Sequence, residues 1–152
     1  MKAIDLVNWE LDYTIGVSEI DAQHRELINM VNDMIRHSFN SQAERKMYFA
    51  KNIISVSSHI ARHFDTEERV LVRTSYEKLT EHKKEHEKIT GKIKTIRNEL
   101  GASSGDATLY NLTITLKEYF LSHILLYDKD AKEFFRAGSK SIASADFHAG
   151  IV

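Results

Sequence analysis

Residues 49–70 read Phe49-Ala-Lys-Asn-Ile53-Ile-Ser-Val56-Ser-Ser-His59-Ile60-Ala-Arg-His63-Phe-Asp-Thr-Glu67-Glu-Arg-Val70. The positions Phe49, Ile53, Val56, Ile60, His63, Glu67 and Val70 advance by alternating steps of four and three, the spacing of one face of an α-helix. Most of that face is apolar and belongs in a core, yet His63 and Glu67 ride on it. A buried imidazole and a buried carboxylate are costly unless something pairs with them or coordinates them. The stretch therefore predicts a long amphipathic helix and, inside the domain, a polar centre that this helix alone does not explain.

The rest of the chain repeats the pattern with other polar members. Ile20, His24, Leu27, Val31 and Met34 share one face of a helix that Ser18-Glu-Ile-Asp21 is expected to open, with Ser18 as its hydroxyl cap. Ser41-Gln-Ala-Glu44 is a capping box and opens the helix of the quoted stretch. After a break at Arg73-Thr-Ser75, the residues Leu79, His82, His86, Ile89, Ile93, Ile96 and Leu100 alternate by three and four, and Gly101 is expected to stop that helix. Asp106 is placed as the cap of the last helix, whose face holds Leu109, Leu112, Leu116, Tyr119, His123, Ala131 and Phe135. No proline interrupts any of these segments. The expected organisation is an all-α antiparallel up-down-up-down four-helix bundle over residues 1–137. Its first 17 residues read as irregular, with Trp9 and Tyr13 covering one end, and the Ser/Ala/Gly-rich residues 138–152 read as a short, loosely ordered C-terminal tail.

Topology and chemistry agree in this arrangement. His24 falls near the start of the first helix, His63 and Glu67 near the end of the second, His82 and His86 near the start of the third, and His123 and Asp128 toward the end of the fourth. In an antiparallel bundle those places lie at one level, so the seven side chains converge. A lone histidine on an apolar face is usually a hydrogen-bonded core residue. Five histidines and two carboxylates phased together point instead to bound metal, with two ions rather than one.

Spacing within each pair sharpens the reading. Residues four apart lie about 40° apart around a helix, so His63 and Glu67 project to one side, as do His82 and His86. His123 and Asp128 are five apart, which on a regular helix separates them by about 140°. One extra residue in one turn, a π-bulge, would bring them together, and such a bulge is expected within His123-Ile-Leu-Leu-Tyr-Asp128. His59 sits at the edge of the stripe and is expected to be near the site or in solvent rather than a ligand. His37 and His148 read as surface residues, and Glu68 as a solvated or ion-paired charge.

Composition narrows the function classes. A chain of 152 residues suits one domain with its own core. With no cysteine, disulfides, thiolate metal sites and cysteine nucleophiles are excluded. A formal net charge of -1 gives no general attraction to nucleic acid or anionic lipid. The lysines between Lys78 and Lys94 alternate with glutamates and read as an exposed helix face. The opening Met1-Lys-Ala-Ile-Asp-Leu-Val-Asn-Trp9 carries charges where an export signal needs an apolar run, and no apolar run reaches membrane-spanning length. The expectation is a cytoplasmic protein with no membrane and no nucleic-acid partner.

The combination Ile20-Asp-Ala-Gln-His24, His63-Phe-Asp-Thr-Glu67-Glu68, His82-x3-His86 and His123-Ile-x3-Asp128, with Trp9 ahead of Gly16-Val17, closely resembles the hemerythrins in their single-domain bacterial form, from about residue 9 to about residue 136. The resemblance implies reversible O2 binding at a non-haem di-iron centre. Carried over by position, His82, His86 and His123 would hold one iron and His24 and His63 the other. Glu67 and Asp128 would bridge them, together with a solvent-derived oxo or hydroxo group. That count leaves one open position, on the iron with two imidazoles, where O2 would bind in a dry pocket for which Leu27, Ile60 and Phe120 are candidate lining. It also implies a monomer. The sequence departs from the family pattern at Tyr119-Phe120, where tryptophan and leucine are common. It departs again at Tyr76-Glu77, where Tyr-Pro is usual, and at His59, where tyrosine is frequent.

Two other classes stand beside an O2 carrier, store, scavenger or sensor. A di-iron oxidase, peroxidase or iron-storage ferroxidase would use a carboxylate-rich site with two Glu-x-x-His pairs, and this chain aligns no such pair with the cluster. A structural zinc or other divalent ion suits imidazole and carboxylate donors equally but needs neither two ions nor an open position.

Overall fold

The computed structural model describes the backbone of residues 4–102 and 106–149 and the side chains of these except 100–102, 106–109, 120 and 141–149. The described residues form helices and loops, without a strand. A short 3-10 turn, Leu11–Tyr13, precedes α1 (Ser18–His37), α2 (Gln42–Val72), α3 (Leu79–Ala102) and α4 (Asp106–Ser122). A π-helical turn, His123–Asp128, then leads into α5 (Lys132–Ala149). Helix α1 packs on α2 and α4, and α3 packs on the same two, so each long helix offers its apolar stripe to two neighbours. Helix α5 returns onto α2. Among the described residues no helix is long and apolar enough to cross a membrane.

The stripes read from sequence are the buried faces. Ile20, Leu27, Val31 and Met34 of α1, Phe49, Ile53, Val56, Ile60 and Val70 of α2, Ile89 and Ile93 of α3, and Leu112, Leu116, Tyr119, Ala131 and Phe135 further on are all buried. Leu100 and Leu109 lie outside the described side chains. The apolar residues separate into two clusters. The larger includes Leu27, Val31, Val56, Ile60, Phe64, Ile89, Leu116 and Ile124, and the smaller includes Ile15, Ile20, Val70, Leu71, Ala131 and Phe135. On α1, α2 and the last helical stretch, the polar positions of the stripe fall between members of the two clusters. The polar centre is thus walled by apolar side chains along the chain in both directions.

Helix ends follow the expected chemistry in one case and depart from it in several. Ser41 caps α2 through its side chain, and Glu44 reaches back to complete the capping box. Ser18, by contrast, is the first helical residue of α1, and Val17 occupies the cap position without a side-chain bond. Asp21 takes over the polar work: its carboxylate accepts the Ile15 N–H at 2.8 Å and the Gly16 N–H at 3.0 Å, fixing the strand of chain that enters the helix. Farther upstream, the Asn32 amide clasps Val7 by accepting its N–H and donating to its carbonyl, each at 2.7 Å. Helix α3 continues through Gly101 to Ala102, so Gly101 does not end it; a glycine lowers helix stability without forbidding helix. Asp106 is the first helical residue of α4, and the position ahead of it lies outside the described residues. The loosely ordered tail expected from Gly138 is helical to Ala149, as α5.

At Gly138 the absence of a side chain has a packing reason. A Cβ there would lie 2.5 Å from the Val70 carbonyl oxygen and 2.7 Å from Val70 Cγ1, so the backbones of α5 and α2 touch at this point. Gly91, in the exposed middle of α3, has nothing within 4 Å of a Cβ position. Opposite outcomes are expected from one substitution. Gly138→Ala should destabilise the fold by about 1–3 kcal/mol through overpacking, and Gly91→Ala should stabilise it by about 0.5–1 kcal/mol by removing helix-interior glycine. Urea unfolding midpoints measure both, and a gain at Gly138 would contradict the close approach of the two helices.

Candidate metal centre

The seven side chains singled out in the sequence meet at one place. His24, His63, Glu67, His82, His86, His123 and Asp128 are each no more than 3% exposed. Two sets of four could each hold a cation with donor atoms within 4.8 Å of one another: Glu67, His82, His86 and His123 in one, and His24, His63, Glu67 and Asp128 in the other. Glu67 belongs to both.

Its two oxygens are divided between the sets. Oε1 lies 2.8 Å from His63 Nε2 and 3.3 Å from His24 Nε2. Oε2 lies 3.0 Å from both His82 Nε2 and His86 Nε2, and 3.3 Å from His123 Nε2. Asp128 repeats the division, with Oδ2 at 3.0 Å from His24 and Oδ1 at 2.9 Å from His123 and 3.2 Å from His82. Two carboxylates therefore each span two groups of imidazoles. The fourth-helix pair reaches this geometry through the π turn, in which the Lys129 N–H bonds to the Ile124 carbonyl five residues back. That extra residue per turn removes the angular separation that a regular helix would impose on His123 and Asp128, and the expected bulge is present.

A cation fits this donor set. His63 Nε2 and both Asp128 oxygens are fully buried without a hydrogen-bond partner, although each has opposing atoms nearby. The nitrogens and oxygens aim at common points instead of pairing off, and such orphaned groups in a core require compensation.

Without a cation, protons carry that load. Burial presses the His24 imidazole toward neutrality, but the adjoining Asp128 and Glu67 carboxylates outweigh it and raise its pKa to about 9. The same balance of burial against Asp128 and Glu67 puts His82 at about 9 and His123 at about 10. For His63 burial prevails and the pKa falls. Glu67 and Asp128 are themselves held below the usual carboxylate range, against burial, by the surrounding imidazoles.

Other contacts fix the rings, and these the sequence reading did not assign. His63 Nδ1 donates to Gln23 Oε1 at 2.9 Å, which turns Nε2 toward Glu67. The Gln23 amide is held in turn by donating to Thr66 Oγ1 at 3.1 Å. Phe64 stacks on His86 with ring centroids 3.9 Å apart and 7° between planes. Tyr127 lies nearly parallel to His123, centroids 5.7 Å apart. The available signal was position: Gln23 precedes His24 on α1 and Phe64 follows His63 on α2. His59 stays outside the cluster, with Nε2 3.3 Å from Glu26 Oε1 and Nδ1 donating to the Ser55 carbonyl. Glu68 is 3.7 Å from His86 Nδ1 and partly exposed. His37 stacks on Tyr48 near the surface. The side chains of Phe120 and His148 lie outside the described ones.

Fold and donor set together define a helical cation-binding protein. A family model described as the hemerythrin HHE cation binding domain matches residues 15–134, and the chain belongs to that family. Among its relatives, the bacteriohemerythrin of Clostridium acetobutylicum is 23% identical over 125 residues, covering 80% of this chain and 95% of that protein. The bacteriohemerythrin of Stenotrophomonas maltophilia is 28% identical over 119 residues, covering 78% of this chain and 74% of that one. A hemerythrin-like protein of Naegleria gruberi is 22% identical over 118 residues, covering 77% and 83% respectively.

Two outcomes are expected. In protein stripped by a chelator, the raised imidazole pKa values contribute stability that is complete below the ordinary histidine value of 6.5 and lost as pH climbs through about 9 to 10. Urea midpoints should fall over that interval in stripped protein and stay level in metal-loaded protein, where the cation replaces those protons. Gln23→Leu should lower metal affinity by roughly 10–100-fold, as loss of a ring-orienting partner does; competition with a chelator of known affinity measures it, and an unchanged affinity would remove Gln23 from the site.

Proposed function

We propose that this protein binds O2 reversibly at a non-haem di-iron centre, set in an antiparallel up-down-up-down four-helix bundle. One observation carries the reading: the two oxygens of Glu67, and again the two of Asp128, face different groups of imidazoles. That division supports Glu67 and Asp128 as bridges, His82, His86 and His123 as ligands of one iron, and His24 and His63 as ligands of the other. The iron pair, when bound, supplies the electrons with which O2 is held and given back. The relatives' names, bacteriohemerythrin and hemerythrin-like protein, agree with this reading.

The chain's own residues account for inequality between the two positions. Three imidazoles and two bridging carboxylates crowd one, whereas two imidazoles and the same bridges leave the other with room for a ligand. Leu27 and Ile60, each one turn from His24 and His63 and both nearly fully buried, wall that side with hydrocarbon. Apolar walls exclude the water that would deliver protons and displace a weakly held ligand. Five imidazoles against two carboxylates also differ from the carboxylate-rich sites of bundle oxidases, which supports binding rather than turnover of a substrate.

Ferrous iron loaded anaerobically should bind at two per chain, and admitting then removing O2 should change the visible absorbance reversibly. Irreversible conversion to the ferric form on first exposure would instead favour an oxidase. Glu67→Ala deletes a donor from both sets and should reduce stoichiometry below two irons while the helical content persists. Two irons with unaltered O2 reversibility in that variant would exclude Glu67 as a bridge.

A further inference from the structure

All seven candidate ligands are buried, so a cation must cross a protein wall to reach them. His82, one of the seven, also lines a surface cavity of about 470 Å³, together with Tyr76, Lys78, Glu81, Leu126, Tyr127 and Asp130. Six water molecules at ~30 Å³ each occupy roughly 180 Å³, so the cavity accommodates a cation with its hydration shell. Its floor is His82, 1% exposed, whose Nε2 faces Glu67 and Asp128 at 3.0 and 3.2 Å. The opposite ring nitrogen, Nδ1, is buried and has no hydrogen-bond partner. Glu81 and Asp130 add carboxylates to the wall. Lys78 and Tyr76 both donate to Asp130, at 3.1 and 3.0 Å, and both contacts fall on Oδ2, which leaves Oδ1 available to a cation. One side of the cavity is the π turn, where Leu126 is 66% exposed and adds little apolar burial to hold that wall shut.

We propose that this cavity is the entry port of the metal centre, where a hydrated ferrous ion is first captured by Asp130 and Glu81 and then handed inward past the His82 ring. The proposal rests on reading the seven-residue cluster as a metal centre and adds the route by which it fills. The carboxylates attract the hydrated ion, and Lys78 opposes it by repulsion and by occupying Asp130. His82 is the natural relay, because its ring lines the cavity while its Nε2 faces Glu67 and Asp128 in the centre. Swinging the ring aside opens a path from the port carboxylates to Glu67 and Asp128, and its return brings Nε2 onto the ion.

Timed mixing of stripped, folded protein with anaerobic ferrous ion, stopped by a chelator that captures unbound iron, measures the uptake rate separately from the final stoichiometry. Asp130→Asn and Glu81→Gln should each slow uptake several-fold at unchanged stoichiometry. Lys78→Gln should accelerate it several-fold, and added salt should slow the wild type more than Asp130→Asn. Equal rates in all variants would overturn the route. So would acceleration in both Asp130→Asn and Lys78→Gln, which would make their ion pair a mere clasp across the mouth. Absence of bound iron at any time would overturn the reading of the centre itself, a failure distinct from normal loading at unaltered rates. A second measurement uses protein whose centre is already filled. Mn2+ added to zinc-loaded wild type should broaden the resonances of Glu81, Tyr127 and Asp130, and the Asp130→Asn, Glu81→Gln double variant should lose the effect. Broadening absent from the wild type would count against capture at this cavity.

Discussion

Everything in this structure is arranged around one carboxylate. Glu67 lies within 3.3 Å of five imidazole nitrogens, three on one of its oxygens and two on the other. An ionised group buried to this degree survives only where its surroundings return what water would have supplied. Four helical stretches must therefore deliver donors to a point on α2, and each must do so at the right height and rotation. The long apolar stripes serve that requirement as much as they serve stability. They fix where along the bundle the polar layer sits, between a large apolar cluster and a smaller one.

The layers beyond the donors show how the rotation of each ring is held. Gln23 binds the far nitrogen of His63, Phe64 lies flat on His86, and Tyr127 covers His123. These contacts come from three different helical stretches and use three different interactions: an amide, an aromatic stack and a phenol face. A bond to the outer nitrogen selects the tautomer that frees the inner one. The aromatic contacts impose no tautomer and restrict only the ring plane. The centre is consequently stiffer on the side of His63 in chemical terms and on the side of His86 and His123 in steric terms.

Much of this was legible before any coordinate. The step pattern of four and three gave the buried face of α2 residue by residue, because helix periodicity and burial are the same fact seen twice. The cluster was legible because its members sit on those faces, and the π turn was legible because five residues do not close on a regular helix. Helix ends were less so. Ser18 has the right chemistry for a cap, but Asp21 outcompetes it by binding two N–H groups of the incoming chain. Gly101 reads as a stop and Gly138 as the start of a loose tail, yet glycine permits a break without requiring one, and at Gly138 the missing side chain serves contact with Val70. Gln23 and Tyr127 carry no periodic signature as partners, since their roles depend on which neighbouring ring they meet. Spatial adjacency of that kind is set by tertiary packing and leaves little trace in one chain.

The π turn has a consequence for what this segment of chain would do if left to itself. From Leu112 onward the stripe steps through Leu116, Tyr119 and His123, reaches Asp128 five residues later with Ile124 also buried between them, and resumes at Ala131, Phe135 and Gly138. An uninterrupted α-helix would carry the stripe through Leu126 or Tyr127 instead, and would leave Asp128 in water. Burying Leu126 would add about 1.5–3 kcal/mol, but the adopted register leaves it exposed, seals Asp128 inside and keeps Ala131 and Phe135 fully buried. The last helix thus contains two competing registers one residue apart, a frustrated element in an otherwise consistent sequence. The π turn is therefore the signature of one extra residue: a single deletion between His123 and Asp128 would leave the pair four apart, facing the centre from a regular helix, with α5 still in phase.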